Sequence, residues 1–224
     1  MVCISNAFPA RSYSMRVLTL LLLVLLAGCA RTGLQARTFS RSITLLDGTM
    51  QSWTFPIPLN ESVVEERVNH INFRGLVVPV ANLSRYVRPN LFEDKTPALY
   101  TKDDESFLRE LREINLQLLN YTNVDEHGVL IEPFIPPLLV SLKDGKGNCA
   151  TSSALFASMV LAARPDWKVS FLLVDLDHLL EPEQATHVMV SVDTGEGQYV
   201  IETTSLGAID WLPLDAKGWT DPIT

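Results

Sequence analysis

The chain has 224 residues, 47% of them apolar and 20% charged, with 11 glycines, 13 prolines and 3 cysteines. This composition excludes a disordered polymer and a disulfide-stapled miniprotein, and fits one globular domain with appended segments. The formal net charge of -8 excludes the broad positive field that nucleic acids and anionic surfaces select, so no nucleic-acid partner is expected.

In chain order, the first feature is Val17 to Ala27, "VLTLLLLVLLA", preceded by Arg16. It is shorter than the ~20 apolar residues that cross a bilayer, and it reads as the core of an export signal. Leu26-Ala27-Gly28-Cys29 follows and resembles the lipobox of bacterial lipoproteins, in which cleavage before the cysteine exposes a thiol that is then acylated. The resemblance implies a signal peptide over residues 1–28, lipidation at Cys29, and a membrane-anchored protein on the exported side of the cell envelope. Two or more acyl chains hold a protein on a membrane firmly. Met15 offers a second start that makes the signal more compact. From Cys29 onward 16 basic side chains face 26 acidic ones, a balance of -10, because Arg11 and Arg16 are the only charged side chains before it. Membrane attachment is therefore expected through lipid and not through a basic patch.

Residues 29–41 are polar with little periodicity and read as a tether. Residues 42–224 read as a single globular domain, with a mainly helical accessory part over 42–135 and a core over 136–224. Within the accessory part, "SITLLDGTMQSWTFPIPL" (42–59) predicts a hairpin about Asp47-Gly48, and "NESVVEERVNHI" a helix from Asn60. "DDESFLRELREINLQLLN" (103–120) is the clearest amphipathic helix: Phe107, Leu108, Leu111, Ile114, Leu118 and Leu119 recur at helical spacing, and acids occupy the first turn. Pro133, Pro136 and Pro137 force extended chain or loop, a boundary or the lip of a cleft.

The core has a sharper order. Lys143 to Asn148 reads as a loop, Cys149 to Ala163 as a helix stopped by Pro165, and residues 167–175, 186–192 and 198–204 as strands. A helix followed by antiparallel strands predicts an α+β layer with the helix on one sheet face.

With Cys3 in the export segment and Cys29 lipidated, Cys149 is the one thiol of the exported domain. A disulfide within the chain and a site of several cysteines are thereby excluded. A helix N-terminus supplies amide donors and partial positive charge that favour a thiolate. The glycines of "GKGNC" let the chain turn tightly and are expected to leave the sulfur open to substrate. Ala150, Ser152, Ser153 and Ala154 allow close packing, and Leu155, Phe156, Met159 and Val160 bury the far side. His187 opens the second strand on the face opposite Val188, Val190 and Val192. Glu202 lies on the third strand, beyond the turn from Asp193 to Gly197, and a carboxylate beside an imidazole fixes its tautomer and stabilises its charged form. Asp193, Glu196 and Asp210 are alternative acids. His178, beside Asp175 and Asp177, is a rival base or the seed of a metal site, and Cys149 alone also reads as a small buried apolar group.

Together, Cys149 at the start of "CATSSALFASMVLAA", His187 in "THVMVSVDTGEGQYVIETTS" and an acid fifteen residues later resemble the transglutaminase-like superfamily of papain-type thiol enzymes, over roughly residues 140–206. The resemblance implies a papain-like α+β core whose cysteine-bearing helix packs on an antiparallel sheet. It implies Cys149 as nucleophile, His187 as general base and acid, Glu202 as orienting carboxylate, a peptide or protein substrate, and neither cofactor nor metal. The chain departs from the family's commoner pattern in Glu202 for aspartate, in Met189 where a large aromatic often stands, and in Asn148 and Ala150 where an acid often adjoins the cysteine. An oxyanion would meet the Cys149 backbone N–H and a second, upstream donor not identified by the resemblance. Two functions are open: a thiol enzyme that passes an acyl group to water or an amine, and a non-catalytic lipoprotein that holds a peptide or envelope ligand.

Overall fold

A computed structural model describes residues 37–57, 83–96, 99, 103–122, 137–175, 187–204, 209 and 217–223. The export signal with Cys29, the helix expected from Asn60, Pro133, Pro136, Asp177, His178 and Asp210 lie outside these residues.

Strands β1 (Thr38–Thr44) and β2 (Met50–Pro56) form an antiparallel hairpin in which Thr44 faces Met50. The Asp47 carboxylate closes its turn by accepting the Thr49 N–H at 2.8 Å. The strand takes in Thr38 to Arg41, which composition alone assigns to the tether. The reason is alternation: Phe39 packs on Phe55 with ring centroids 5.5 Å apart, Ile43 is buried, and the intervening Arg41 bonds the carbonyls of Leu142 and Lys143, each at 2.7 Å.

The accessory part is expected to be mainly helical, and its described residues carry strand as well as helix. Among the described residues it holds this hairpin, 3-10 turns at Leu83–Tyr86 and Pro89–Leu91, helix α1 (Asp104–Leu118) and the two-residue strand β3 (Asn120–Tyr121). Asp103 caps α1 by accepting the Ser106 N–H at 2.9 Å. Phe107, Leu108, Leu111, Ile114 and Leu118 form its buried stripe, each side chain contributing about 1.5–3 kcal/mol by leaving water.

Helix α2 (Leu138–Asp144) begins directly after Pro137, where the fixed φ of proline suits a helix start. The expected loop from Lys143 is thus the end of a helix followed by β4 (Lys146–Gly147), which runs parallel to β3. Helix α3 (Cys149–Ala163) is buried without a break from Cys149 to Val160, which its alanines and serines permit.

Four strands complete the fold: β5 (Lys168–Asp175), β6 (His187–Asp193), β7 (Gln198–Ile201) and β8 (Lys217–Pro222), in the order β7-β6-β5-β8 with antiparallel neighbours. The edge strand β8 has no counterpart in the sequence reading. Val188, Val190 and Val192 join the main core with α3, while Met189 packs with Leu172 and Val174 on the other face. The architecture is mixed α and β with small antiparallel sheets.

Candidate active site

His187 is the first residue of β6 and Glu202 the first residue beyond β7, so both stand at one end of the sheet. Their side chains meet there, His187 Nε2 lying 2.6 Å from Glu202 Oε2. By its sequence Glu202 reads as a strand residue. It leaves the ladder because its other oxygen, Oε1, accepts both the Thr204 N–H at 2.7 Å and the Thr204 hydroxyl at 2.6 Å. That local turn, a side chain bonding the backbone two residues on, competes with strand pairing.

The turn is held from two helices. Arg112 of α1 donates to the carbonyls of Glu202 at 2.8 Å and Thr204 at 3.2 Å. Asn115 of α1 donates to the Thr203 carbonyl at 2.8 Å, and Ser152 of α3 reaches the same carbonyl at 2.8 Å. Ser153 of α3 donates to the Val188 carbonyl at 3.1 Å and lies 3.0 Å from the Thr203 hydroxyl. The serines therefore do more than permit close packing: they tie the cysteine-bearing helix to the histidine strand and the glutamate turn. A buried polar group without a partner is destabilising by ~1–3 kcal/mol, so this network also specifies the arrangement.

Cys149 opens α3. Asn148 caps the helix, its side-chain Oδ1 accepting the Thr151 N–H at 3.0 Å and the Thr151 hydroxyl at 3.1 Å. Gly145 ends α2 in the left-handed region at φ 69°, and a Cβ there would stand 2.6 Å from Arg41 Nη2. A Cβ on Gly147 would meet Thr151 Cβ at 3.0 Å and Leu119 Cδ1 at 3.3 Å. The glycines thus serve the approach of Arg41, Thr151 and Leu119, not exposure of the sulfur: Cys149 is 0% exposed, Glu202 0% and His187 4%.

The electrostatics follow from that burial. Burial opposes charge on the His187 ring, but hydrogen bonding with Cys149 and Glu202 and the charges of both outweigh it and push the imidazole up to about 10. Burial likewise opposes an ionised Glu202, and the hydrogen bond and charge of His187 together with the two Thr204 donors hold it below its ordinary 4.5. An imidazolium paired with a carboxylate is therefore the neutral-pH form. Since Nε2 serves Glu202, Nδ1 is the ring nitrogen left to meet Cys149.

The other acids stand elsewhere. Asp193 closes the far turn of the β6–β7 hairpin, accepting the Gly195 N–H at 2.9 Å and meeting Lys168 at 3.4 Å, and Glu196 lies in that same turn. No cluster of three or more metal-ligating side chains occurs among the described residues.

No family model matches the chain, and no curated protein matches it. A crystal structure of a "putative protease" from Parabacteroides distasonis is similar at a TM-score of 0.40 and 14% identity, over 76% of this chain and 36% of that one. The chain spans little more than a third of that protein, and a likeness of this degree fixes neither fold nor chemistry.

Several residues at the site were not singled out by sequence. Arg112 and Asn115 carried a readable signal: polar side chains next to the apolar stripe of α1, with Asn115 one turn after Leu111. Thr204 carried one too, as the hydroxyl two residues after a candidate acid. Tyr121 carried none, because its place depends on the pairing of two two-residue strands.

Proposed function

We propose that this protein is a thiol hydrolase of transglutaminase-like type that attacks amide carbonyls of peptides or proteins, held on the exported face of a membrane by acylated Cys29. The observation that carries the reading is the buried His187–Glu202 pair, 2.6 Å long, beside Cys149.

The chemistry runs in two halves. The Cys149 sulfur, its proton held on His187, attacks the carbonyl carbon while the C=O electron pair moves onto oxygen. Collapse of that oxyanion breaks the C–N bond, and the leaving amine takes the proton held by His187. The thioester so formed is attacked by water, whose proton passes to His187, and the second collapse expels the thiolate. Glu202 stabilises the imidazolium through both halves without itself changing protonation.

Native alkylation tests this directly. Iodoacetamide at neutral pH should label Cys149 in the folded chain, and His187→Ala should slow labelling about tenfold or more, since an unassisted thiol is only a few per cent ionised at pH 7. A thiol that reacts only after denaturation would sink the proposal. For the anchor, palmitate incorporation should vanish in Cys29→Ser; lipid retained in that variant refutes the lipobox.

A further inference from the structure

Acyl transfer needs more than a nucleophile and a base, because the carbonyl oxygen that gains the electron pair must meet donors already in place. The backbone N–H of Cys149 at the start of α3 supplies one. The neighbouring side chains of α1 and α3 are committed: Asn148 Oδ1 accepts from Thr151, Ser152 and Asn115 serve the Thr203 carbonyl, and Ser153 serves Val188.

One hydroxyl at the site is differently placed. Strand β3 lies parallel to β4 with Tyr121 opposite Gly147, two residues before Cys149. The pairing is fixed on both sides, the Asn120 N–H bonding the Gly145 carbonyl and the Thr122 N–H the Gly147 carbonyl, each at 2.9 Å. Gly147 contributes no side chain, which lets Leu119 and Thr151 close over it and brings β3 against the cysteine turn. Tyr121 is half-buried, unlike Cys149 and Glu202, so its ring stands at the border between core and solvent. Its hydroxyl makes no hydrogen bond to any described residue, yet feels the charge of both Cys149 and Glu202.

We propose that the Tyr121 hydroxyl is the second oxyanion donor of this site, acting with the Cys149 amide on the oxygen of the attacked carbonyl. The inference rests on the nucleophilic role of Cys149 given above. Tyr121 transfers no proton: it hydrogen-bonds the oxyanion while sulfur is bonded to carbon and releases it when the C=O bond re-forms. Burial first, and then the nearby Cys149 and Glu202, push this phenol up to about 12, so it keeps its proton, and its capacity to donate, at every pH at which His187 is charged.

Two reagents separate this role from a structural one. Iodoacetamide reacts by displacement at a saturated carbon with loss of iodide, and develops no oxyanion. p-Nitrophenyl acetate acylates the same sulfur through a tetrahedral oxyanion. In the full chain, Tyr121→Phe is expected to slow acylation by p-nitrophenyl acetate at least 10-fold, toward the ~10²–10³ that loss of one oxyanion donor removes, with alkylation by iodoacetamide within about 2-fold of wild type. Unchanged acylation overturns the proposal. So does an equal fall in both rates, which would make Tyr121 a support for the thiol itself. A wild-type chain inert to iodoacetamide when folded refutes the nucleophile, a distinct result that takes this proposal with it.

Discussion

Glu202 reaches His187 along a diagonal of the β6–β7 hairpin and not from the position directly across. Val190 pairs with Ile201, so continuing that register sets Met189 against residue 202 and His187 against residue 204. The bond of 2.6 Å therefore spans an i, j−2 relation, in which antiparallel positions stand ~7–8 Å apart and only a long side chain closes the gap. Glutamate supplies the extra methylene. Glu202→Asp should leave the imidazole without its partner and slow iodoacetamide labelling of Cys149 at pH 7 by about tenfold, the effect of one pKa unit. Equal labelling of the two chains would show that the diagonal reach is dispensable.

The pair also sets a pH profile of stability. Glu202 is held below its ordinary 4.5, so its contribution is fully present above 4.5 and is lost as pH falls through its folded-state value. His187 is raised from 6.5 to about 10, so its contribution is fully present below 6.5 and is lost as pH climbs through about 10. Urea midpoints should therefore show the pair at full strength between pH 4.5 and 6.5, declining on either side. Glu202→Gln should flatten the acid side of that profile, and an unaltered acid limb would mean that another carboxylate controls it.

Arg112 presents a charged donor to two carbonyls of the glutamate turn. Arg112→Leu keeps much of the aliphatic bulk and removes both bonds, a loss of about 1.5–3 kcal/mol from charged hydrogen bonding. Denaturant unfolding measures it. Labelling of Cys149 in the folded variant should fall as well, because the turn that aims Glu202 loosens; a destabilised variant with wild-type labelling would show that the turn holds without α1.

Gly145 and Gly48 form a matched pair for testing the contact with Arg41. Both have positive φ, 69° and 86°, but a Cβ at Gly48 meets nothing within 4 Å whereas one at Gly145 meets Arg41 Nη2 at 2.6 Å. Alanine at either site bears the left-handed strain of ~1–2 kcal/mol. Gly145→Ala should be the more destabilising by about 1 kcal/mol or more, the worth of a displaced hydrogen bond. Equal urea midpoints would mean that Arg41 yields at no loss.

How much of this was legible in the sequence depends on the range of the interaction. The α1 stripe, the Asp47 turn, the start of α3 at Cys149 and the alternation of Val188, Val190 and Val192 all follow from local spacing, and each stands where that spacing puts it. The start of β1 is not legible because Arg41, a tether-like residue by composition, finds its partners about a hundred positions away. The end of β7 is not legible because Glu202 has the pattern of a strand residue, while Thr204 competes for its side chain. At the site, the order of Cys149, His187 and Glu202 was readable, and the proximity of the last two followed from the hairpin. Arg112 and Asn115 show in the sequence as polar positions beside the α1 stripe, but what they meet is set by tertiary packing, and nothing local announces Tyr121.

The bond from Arg41 to Leu142, with its separation of 101 residues, has a consequence for how the molecule comes to exist. Closing a loop of that length carries an entropic charge of about 4 kcal/mol, offset only when hairpin and helix dock together. The turn that presents Cys149 is thus completed by a segment made long before it. A chain emerging from its N-terminus keeps the hairpin waiting until α2 arrives, so the thiol acquires its surroundings late, once most of the polypeptide is already out.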